Sequence, residues 1–252
     1  MRLTRTTAIL VASLLAAIFA GGFAFGEALP GPGDRILEKA DAVLAAVGSS
    51  YDIRLRVAVT GGGGALEYRL RNHVKDASVQ RALFREPAFD LDDSAIRRGG
   101  TAYFKYRAWP KYDRMNAQSS FLDSPLTWED ALWPGLSGAY EVSTVAWDEL
   151  QGERLLRCDL RPVTKGAYRR IELWLRPGNH QTVRRVYYTP SGQRWKSADF
   201  GGYTMEGGSA STWEMTMVNE LTKASASLSV GGRRTQMMTD TFFEPTNGPK
   251  EK

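Results

Sequence analysis

The chain has 252 residues, 42% of them hydrophobic and 11% aromatic, with 33 lysines and arginines against 28 acidic residues. That is enough chain to bury a core without disulfides, and a single cysteine, Cys158, excludes an internal disulfide framework. The basic excess of +5 is spread along the sequence, which excludes the clustered footprint of a nucleic-acid-binding protein.

Arg2 and Arg5 precede an apolar run from Ala8 to Ala20, and small residues follow at Ala24, Gly26 and Ala28. This order is that of a signal peptide for export, with residues 1–26 expected to be removed before Glu27. A membrane anchor is the alternative, since the stretch to Phe25 approaches the roughly 17 residues needed to span. Gly21, Gly22 and Gly26 interrupt it, however, and Pro30-Gly31-Pro32-Gly33 follows. No cysteine lies nearby to take a lipid. The expected domain runs over 34–245, with 246–252 as a polar, frayed tail.

The domain opens on a helix. Ile36, Leu37, Ala40, Val43, Leu44 and Val47 recur at helical spacing, with Asp34 as the expected N-cap and Gly48 as the stop. The period then changes from 3.6 to 2. Ile53, Leu55, Val57 and Val59 alternate with Asp52, Arg54, Arg56 and Ala58 to predict a half-buried strand. Gly61 to Gly64 form a hairpin connection, since no Lys-Ser/Thr and no helix follow to make a phosphate loop. Leu66, Tyr68 and Leu70 mark the return strand. Further strands are predicted over 78–86, 101–107, 140–146, 153–161, 168–176, 182–188, 194–200, 211–219 and 223–230. Arg176-Pro177-Gly178-Asn179, Pro190-Ser191-Gly192, Gly201-Gly202, Gly207-Gly208 and Gly231-Gly232 are read as turns between them. Trp213, Met215 and Met217 alternate with Thr212, Glu214 and Thr216, so one face of this sheet is dry and the other wet. Such a run of strands predicts a sandwich, a barrel or a strongly curved sheet.

Residues 109–138 break the pattern. Phe121, Leu122, Leu126, Trp128, Leu132 and Trp133 make a dense apolar cluster there, and Ser124-Pro125 followed by Trp128-Glu129-Asp130 predicts a short helical cap. Long inserts of this kind are usually functional or flexible. The segment reads equally as a plug for one end of a β core or as a lid over an apolar cavity.

Catalytic chemistry is scarce. His73 and His180 have no clustered His, Cys or carboxylate partners and read as ordinary surface residues, and no zinc site is expected. Gly135-Leu136-Ser137-Gly138 lacks the spacing of a nucleophile elbow. Asp90, Asp92 and Asp93 lack the glycine and closing glutamate of a calcium loop and read as a solvated loop. Glu129 and Asp130, being adjacent on a helix, cannot easily share a proton and suit a helix start. Cys158 sits in a strand-like run and reads as a buried thiol. No metal, no organic cofactor and no enzyme activity are expected.

Several short motifs resemble the outer-membrane lipoprotein-sorting protein family, the periplasmic carriers with the LolA-type half-barrel. Ser120-Phe121-Leu122-Asp123-Ser124-Pro125-Leu126-Thr127-Trp128-Glu129-Asp130 is similar to that family's S-F-x-G-S-D-F-[ST]-[YW]-E-D segment, with Asp123 and Pro125 where the family has Gly and Asp. Gly100-Thr101-Ala102-Tyr103 resembles its G-T-A-Y strand start, and Gly152-Glu153 before Cys158 resembles its G-E…C-Y strand. Tyr168 to Trp174, followed by Val183-Arg184-Arg185-Val186, is similar to its next two strands. The likeness covers residues 34–245.

The resemblance implies a mainly β (α+β) fold: an incomplete, strongly curved antiparallel β-barrel with a helical lid on its concave face. It further implies a soluble periplasmic carrier that holds acyl chains of lipoproteins or other lipids between lid and sheet. The lining would then include Phe121, Leu122, Leu126, Trp128, Leu132, Trp133, Trp213, Met215 and Met217. Implied partners are an inner-membrane transporter as donor and an outer-membrane acceptor. Related half-barrels also serve as envelope sensors or adaptors that bind a membrane protein, which is the alternative expectation.

Overall fold

Helix α1 spans Ile36–Leu44 and buries Ile36, Leu37, Ala40, Val43 and Leu44, the stripe that the helical spacing predicts. The computed structural model describes residues 35–245 apart from 59–64, 77, 87–93, 99–100, 106–110, 117, 122–123, 134, 164–167 and 237. Asp34, the expected N-cap, lies outside the described residues, and the cap position is held by Arg35 at φ 50° with no side-chain hydrogen bond. The helix also stops earlier than expected. Ala45 is its C-cap, Val47 is 69% exposed, and Gly48 at φ 69° forms the turn into the sheet.

All strands join one antiparallel sheet. Its first half is β1 (Ser49–Ala58), β2 (Ala65–Val74), β3 (Val79–Glu86), β4 (Ser94–Arg98), β5 (Thr101–Lys105) and β6 (Asp113–Met115). Its second half is β7 (Tyr140–Leu150), β8 (Glu153–Pro162), β9 (Arg170–Leu175), β10 (Thr182–Tyr188), β11 (Arg194–Glu206), β12 (Ser209–Asn219) and β13 (Ser225–Thr235). The order is β6-β5-β4-β3-β2-β1-β13-β12-β11-β10-β9-β8-β7. The chain therefore starts in the middle, meanders to one edge, crosses to the other edge, and meanders back until β13 pairs with β1. The sheet is not closed: β6 and β7 are its edges among the described residues. This is the incomplete curved barrel that the resemblance implies.

Alternation sets the faces. On β1, Ile53, Leu55 and Val57 are buried while Asp52, Arg54 and Arg56 are exposed, and on β12 Trp213, Met215 and Met217 are buried. The core lies on this concave side, beneath α1, which packs on β12. The Trp213 indole N–H donates to the Leu44 carbonyl at 3.0 Å and so holds the C-terminal end of α1 to the sheet.

Two expected turns are bends inside strands. Gly201-Gly202 lies within β11, where the pairing with β12 shifts register, and Gly231-Gly232 lies within β13 opposite the shift at Ser50/Asp52. Gly202 and Gly232 have φ of +62° and +59°, which glycine adopts without penalty. A Cβ on Gly232 would also come within 2.6 Å of Asp52 Oδ2. Bulges of this kind bend and twist a strand, so these glycines curve the sheet rather than end it. Gly207-Gly208, both at positive φ, is the true hairpin turn. Two strands are additional to the expected set: β4, whose Ser94, Ala95 and Ile96 are all buried and so show no alternation, and the three-residue β6.

His73 is not a surface residue. It lies on the face of β2 opposite Leu70 and Asn72, 4% exposed, beneath a C-terminal 3-10 turn (Asp240–Phe243). The Phe242 ring meets it edge-on at 4.9 Å, and neither imidazole nitrogen has a hydrogen-bond partner. Burial first, then Arg71, Arg81 and Arg85, push its pKa down to about 4, with Asp52 opposing. Between that value and the roughly 6.5 of an unfolded chain, the unfolded state binds the extra proton, so stability falls as pH drops through this window. The full shift corresponds to about 3 kcal/mol. Melting curves should therefore lose more midpoint between pH 7 and pH 4.5 in the wild type than in His73→Phe. Equal losses would remove His73 as the cause.

Candidate ligand-binding site

The crossover from β6 to β7 covers the concave face. The chain between them must pass from one edge of the open sheet to the other, and of its described residues Phe121, Leu126, Leu132, Trp133 and Leu136 join the core. A tight loop starts the cover: Phe121 N–H donates to the Leu126 carbonyl at 2.8 Å, and Ser124 Oγ accepts from Leu126 N–H at 3.2 Å. Helix α2 (Trp128–Leu132) follows, started by a capping box. Thr127 Oγ1 accepts from Asp130 N–H at 3.1 Å, and Asp130 Oδ2 accepts from Thr127 N–H at 3.0 Å.

Phe121, Leu126, Leu132 and Trp133 are fully buried, and Trp128 is half-buried. Phe121 stacks on Phe84 of β3 at 6.4 Å and meets Tyr68 of β2 edge-on, while Trp128 packs edge-on against Phe121 at 4.5 Å and Phe104 of β5 at 5.1 Å. The cover thus fills the first half of the concavity. Trp213, Met215 and Met217 line the core under α1 instead, on β12. The expected lining set is therefore split between two covering elements, and Leu122 lies outside the described residues.

Polar contacts tie the cover down at separate points. The Asp41 carboxylate on α1 accepts from Leu136 N–H at 2.9 Å and from Ser137 N–H at 2.7 Å. Gly135 permits that approach, since a Cβ there would stand 3.1 Å from Asp41 Oδ2. Asn72 Nδ2 on β2 donates to the Leu132 carbonyl at 3.1 Å and to Gln80 Oε1 at 3.0 Å. Glu129 approaches Arg97 of β4 at 3.9 Å, and burial raises the Glu129 pKa against that arginine's pull. Asp130 accepts from the Tyr168 hydroxyl at 2.7 Å, and that hydroxyl accepts from Lys196 Nζ of β11 at 3.2 Å. Burial, then Asp130, hold the Tyr168 phenol far above its ordinary range, while burial lowers Lys196.

At the seam between α1 and the cover is a cleft of about 260 Å³. Ala42, Ala45, Val47 and Val74 give it an apolar floor, and Glu38 and Asp41 stand on its rim. Small-molecule sites usually hold roughly 300–1,000 Å³. At about 260 Å³ the cleft falls just below that range.

Nucleophile chemistry is not favoured among the described residues. Cys158 is fully buried and its thiol is pushed up to about 12, chiefly by burial. No group of three or more His, Cys, Asp or Glu among the described residues is placed to hold a metal. Asp90, Asp92 and Asp93 lie outside them. Asp41, Asn72 and Lys196 are residues holding the cover that the sequence reading did not single out. For Lys196 a signal exists: it is in phase with apolar Ala198 and Phe200 on one strand, which places a lysine on the dry face.

This architecture defines a LolA-type half-barrel, and solved structures agree. A LolA superfamily protein from Nitrosomonas europaea has a TM-score of 0.73 at 17% identity, covering 83% of this chain and 96% of that one. A domain named for outer membrane lipoprotein sorting, from Vibrio parahaemolyticus, gives 0.68 at 16%, covering 82% and 94%. A DUF1329 family protein from Desulfovibrio piger gives 0.67 at 17%, covering 83% and 94%. A family profile described as "Uncharacterized protein" matches residues 83–247, more than half of the chain, and the chain belongs to that family. Among curated proteins none matches by sequence.

The Asp41 contact generates a direct expectation. Asp41→Ala leaves two backbone N–H groups without their acceptor, which costs roughly 1–3 kcal/mol. Hydrogen exchange at Leu136 and Ser137 should accelerate and melting should fall accordingly. Unchanged protection at both amides would show that the carboxylate does not hold the cover.

Proposed function

We propose that this protein is a periplasmic carrier that binds the acyl chains of lipoproteins or other lipids between its concave sheet and its cover. It moves them between membranes by partition rather than catalysis. The single observation that supports this reading most strongly is the cover itself: an apolar segment spanning an open, apolar concave face, attached by a few discrete polar contacts, with a cleft at its seam. The LolA-type fold supports the same reading, and so does the export signal read in residues 1–26. Among the described residues no helix is long and apolar enough to cross a membrane.

The energies are commensurate. A buried methylene is worth about 0.8 kcal/mol, so a dozen return roughly 10 kcal/mol. Lifting the cover breaks a handful of hydrogen bonds at roughly 1–3 kcal/mol each. Its aromatic contacts with the sheet are exchanged for contacts between chain and sheet. Loading is then close to balanced, as a carrier that must also unload requires.

A reversible lock tests this. The Gly135 Cβ position lies 3.3 Å from Asp41 Cγ, which makes Asp41→Cys with Gly135→Cys a candidate disulfide pair. The oxidised double variant should lose displaceable binding of a fluorescent fatty acid, and reduction should restore it. Equal binding in both redox states would place the chain elsewhere, and no binding by the wild type would end the carrier reading.

A further inference from the structure

The concave site carries charge that a purely apolar carrier does not need. Arg185 of β10 and Lys196 of β11 both face the core and are 2% and 3% exposed. In the β10–β11 register Lys196 stands opposite Tyr187 and Arg185 opposite Ala198, so the two cations lie diagonally on adjacent strands. The Arg185 guanidinium lies over the Phe200 ring at 4.9 Å and hydrogen-bonds with Tyr187. Lys196 Nζ lies over the Trp195 ring at 4.2 Å and the Tyr168 ring at 5.4 Å. Its one hydrogen bond among the described residues is to Tyr168 Oη, although an ammonium has three donors.

The anion that answers Lys196 comes from the cover. Tyr168 Oη accepts from Lys196 and donates to Asp130 Oδ2, so Asp130 is linked to Lys196 through one phenol. Asp130 is itself buried and stands on α2, within the segment that has to move. When the cover lifts, that carboxylate leaves with it. The buried Lys196 ammonium then loses its counter-charge, and buried charge without a partner is strongly unfavourable. A ligand that brings its own anion removes this penalty. An alcohol or a neutral ester of the same chain does not.

We propose that Arg185 and Lys196 form the headgroup end of the concave site and that its ligand is an anionic amphiphile, whose carboxylate or phosphate replaces the Asp130 carboxylate when the cover lifts. This rests on the carrier reading above and adds the chemical class of the cargo. Asp130 acts as an internal surrogate for the headgroup, and closure of the cover competes with cargo for Lys196.

Calorimetric titration of the full chain with laurate, dodecyl phosphate and dodecanol tests it, since the three share one chain length. Either anion should bind the wild type at least tenfold more tightly than dodecanol, as charge-assisted hydrogen bonds outweigh neutral ones. The tighter of the two identifies the source, a free fatty acid or a phosphate-headed lipid. Lys196→Met should cut the preference at least several-fold, while Lys196→Arg should keep it. Asp130→Asn retains an acceptor for Tyr168 without the charge and should strengthen anion binding several-fold. Circular dichroism and melting confirm that each variant is folded. If the wild type binds all three equally and Lys196→Met changes nothing, the headgroup site is wrong and the carrier reading stands. If the wild type binds none of them, both fall.

Discussion

The chain geometry of an open sheet governs the rest of this molecule. Because β1 pairs with β13 at the centre, the two edges, β6 and β7, are consecutive in sequence but at opposite ends of the sheet. The connection between them has to cross. Crossing on the concave side buries Phe121, Leu126, Leu132 and Trp133 in the core, with Phe121 against β2 and β3 and Trp128 against β5. The cover is therefore a consequence of strand order, and it is tethered at both ends without being part of the sheet. An element attached in that way can leave the face it covers while the strand pairing stays intact.

What keeps it closed is a small number of buried or half-buried polar contacts distributed over both halves of the sheet. Asp41 reaches it from α1, Asn72 from β2, and Tyr168 with Lys196 from the second half. These contacts are directional, so they fix one closed position, which apolar packing alone does less well. The aromatic contacts supply area but little geometry. The combination resembles a clasp on a dry surface, stiff when shut and separable when other apolar atoms can take the place of its own. The position of Asp130 adds a second level, since one carboxylate serves both the capping box of α2 and, through Tyr168, Lys196.

Much of the fold was legible because its signals are local. The alternation of Ile53, Leu55 and Val57, or of Trp213, Met215 and Met217, is the direct imprint of a sheet with one wet face. The stripe on α1 and the density of aromatic residues between Phe121 and Trp133 were equally plain. What escaped depends on tertiary context. β4 is buried on both faces and has no period to read. Gly201-Gly202 and Gly231-Gly232 carry the residue type of a turn, and only the pairing of neighbouring strands shows them to be bulges. His73 sits on the face that alternation marks as wet, and it is buried by a segment some 170 positions later in the chain. For Arg185, local reading assigns a charged side chain to solvent, and Lys196 is marked as inward-facing only by its phase with Ala198 and Phe200.

The central claim is that the cover moves off the sheet to admit an acyl chain. It is tested most directly by spin labels on two exposed sites, Ser119 in the cover and Ser229 on the outer face of β13, with distances measured by pulsed dipolar spectroscopy. Without ligand the account predicts one short distance. With saturating fatty acid it predicts a second, longer population that disappears when the ligand is removed. A single, unchanged distribution in a protein shown to be carrying the fatty acid would contradict it.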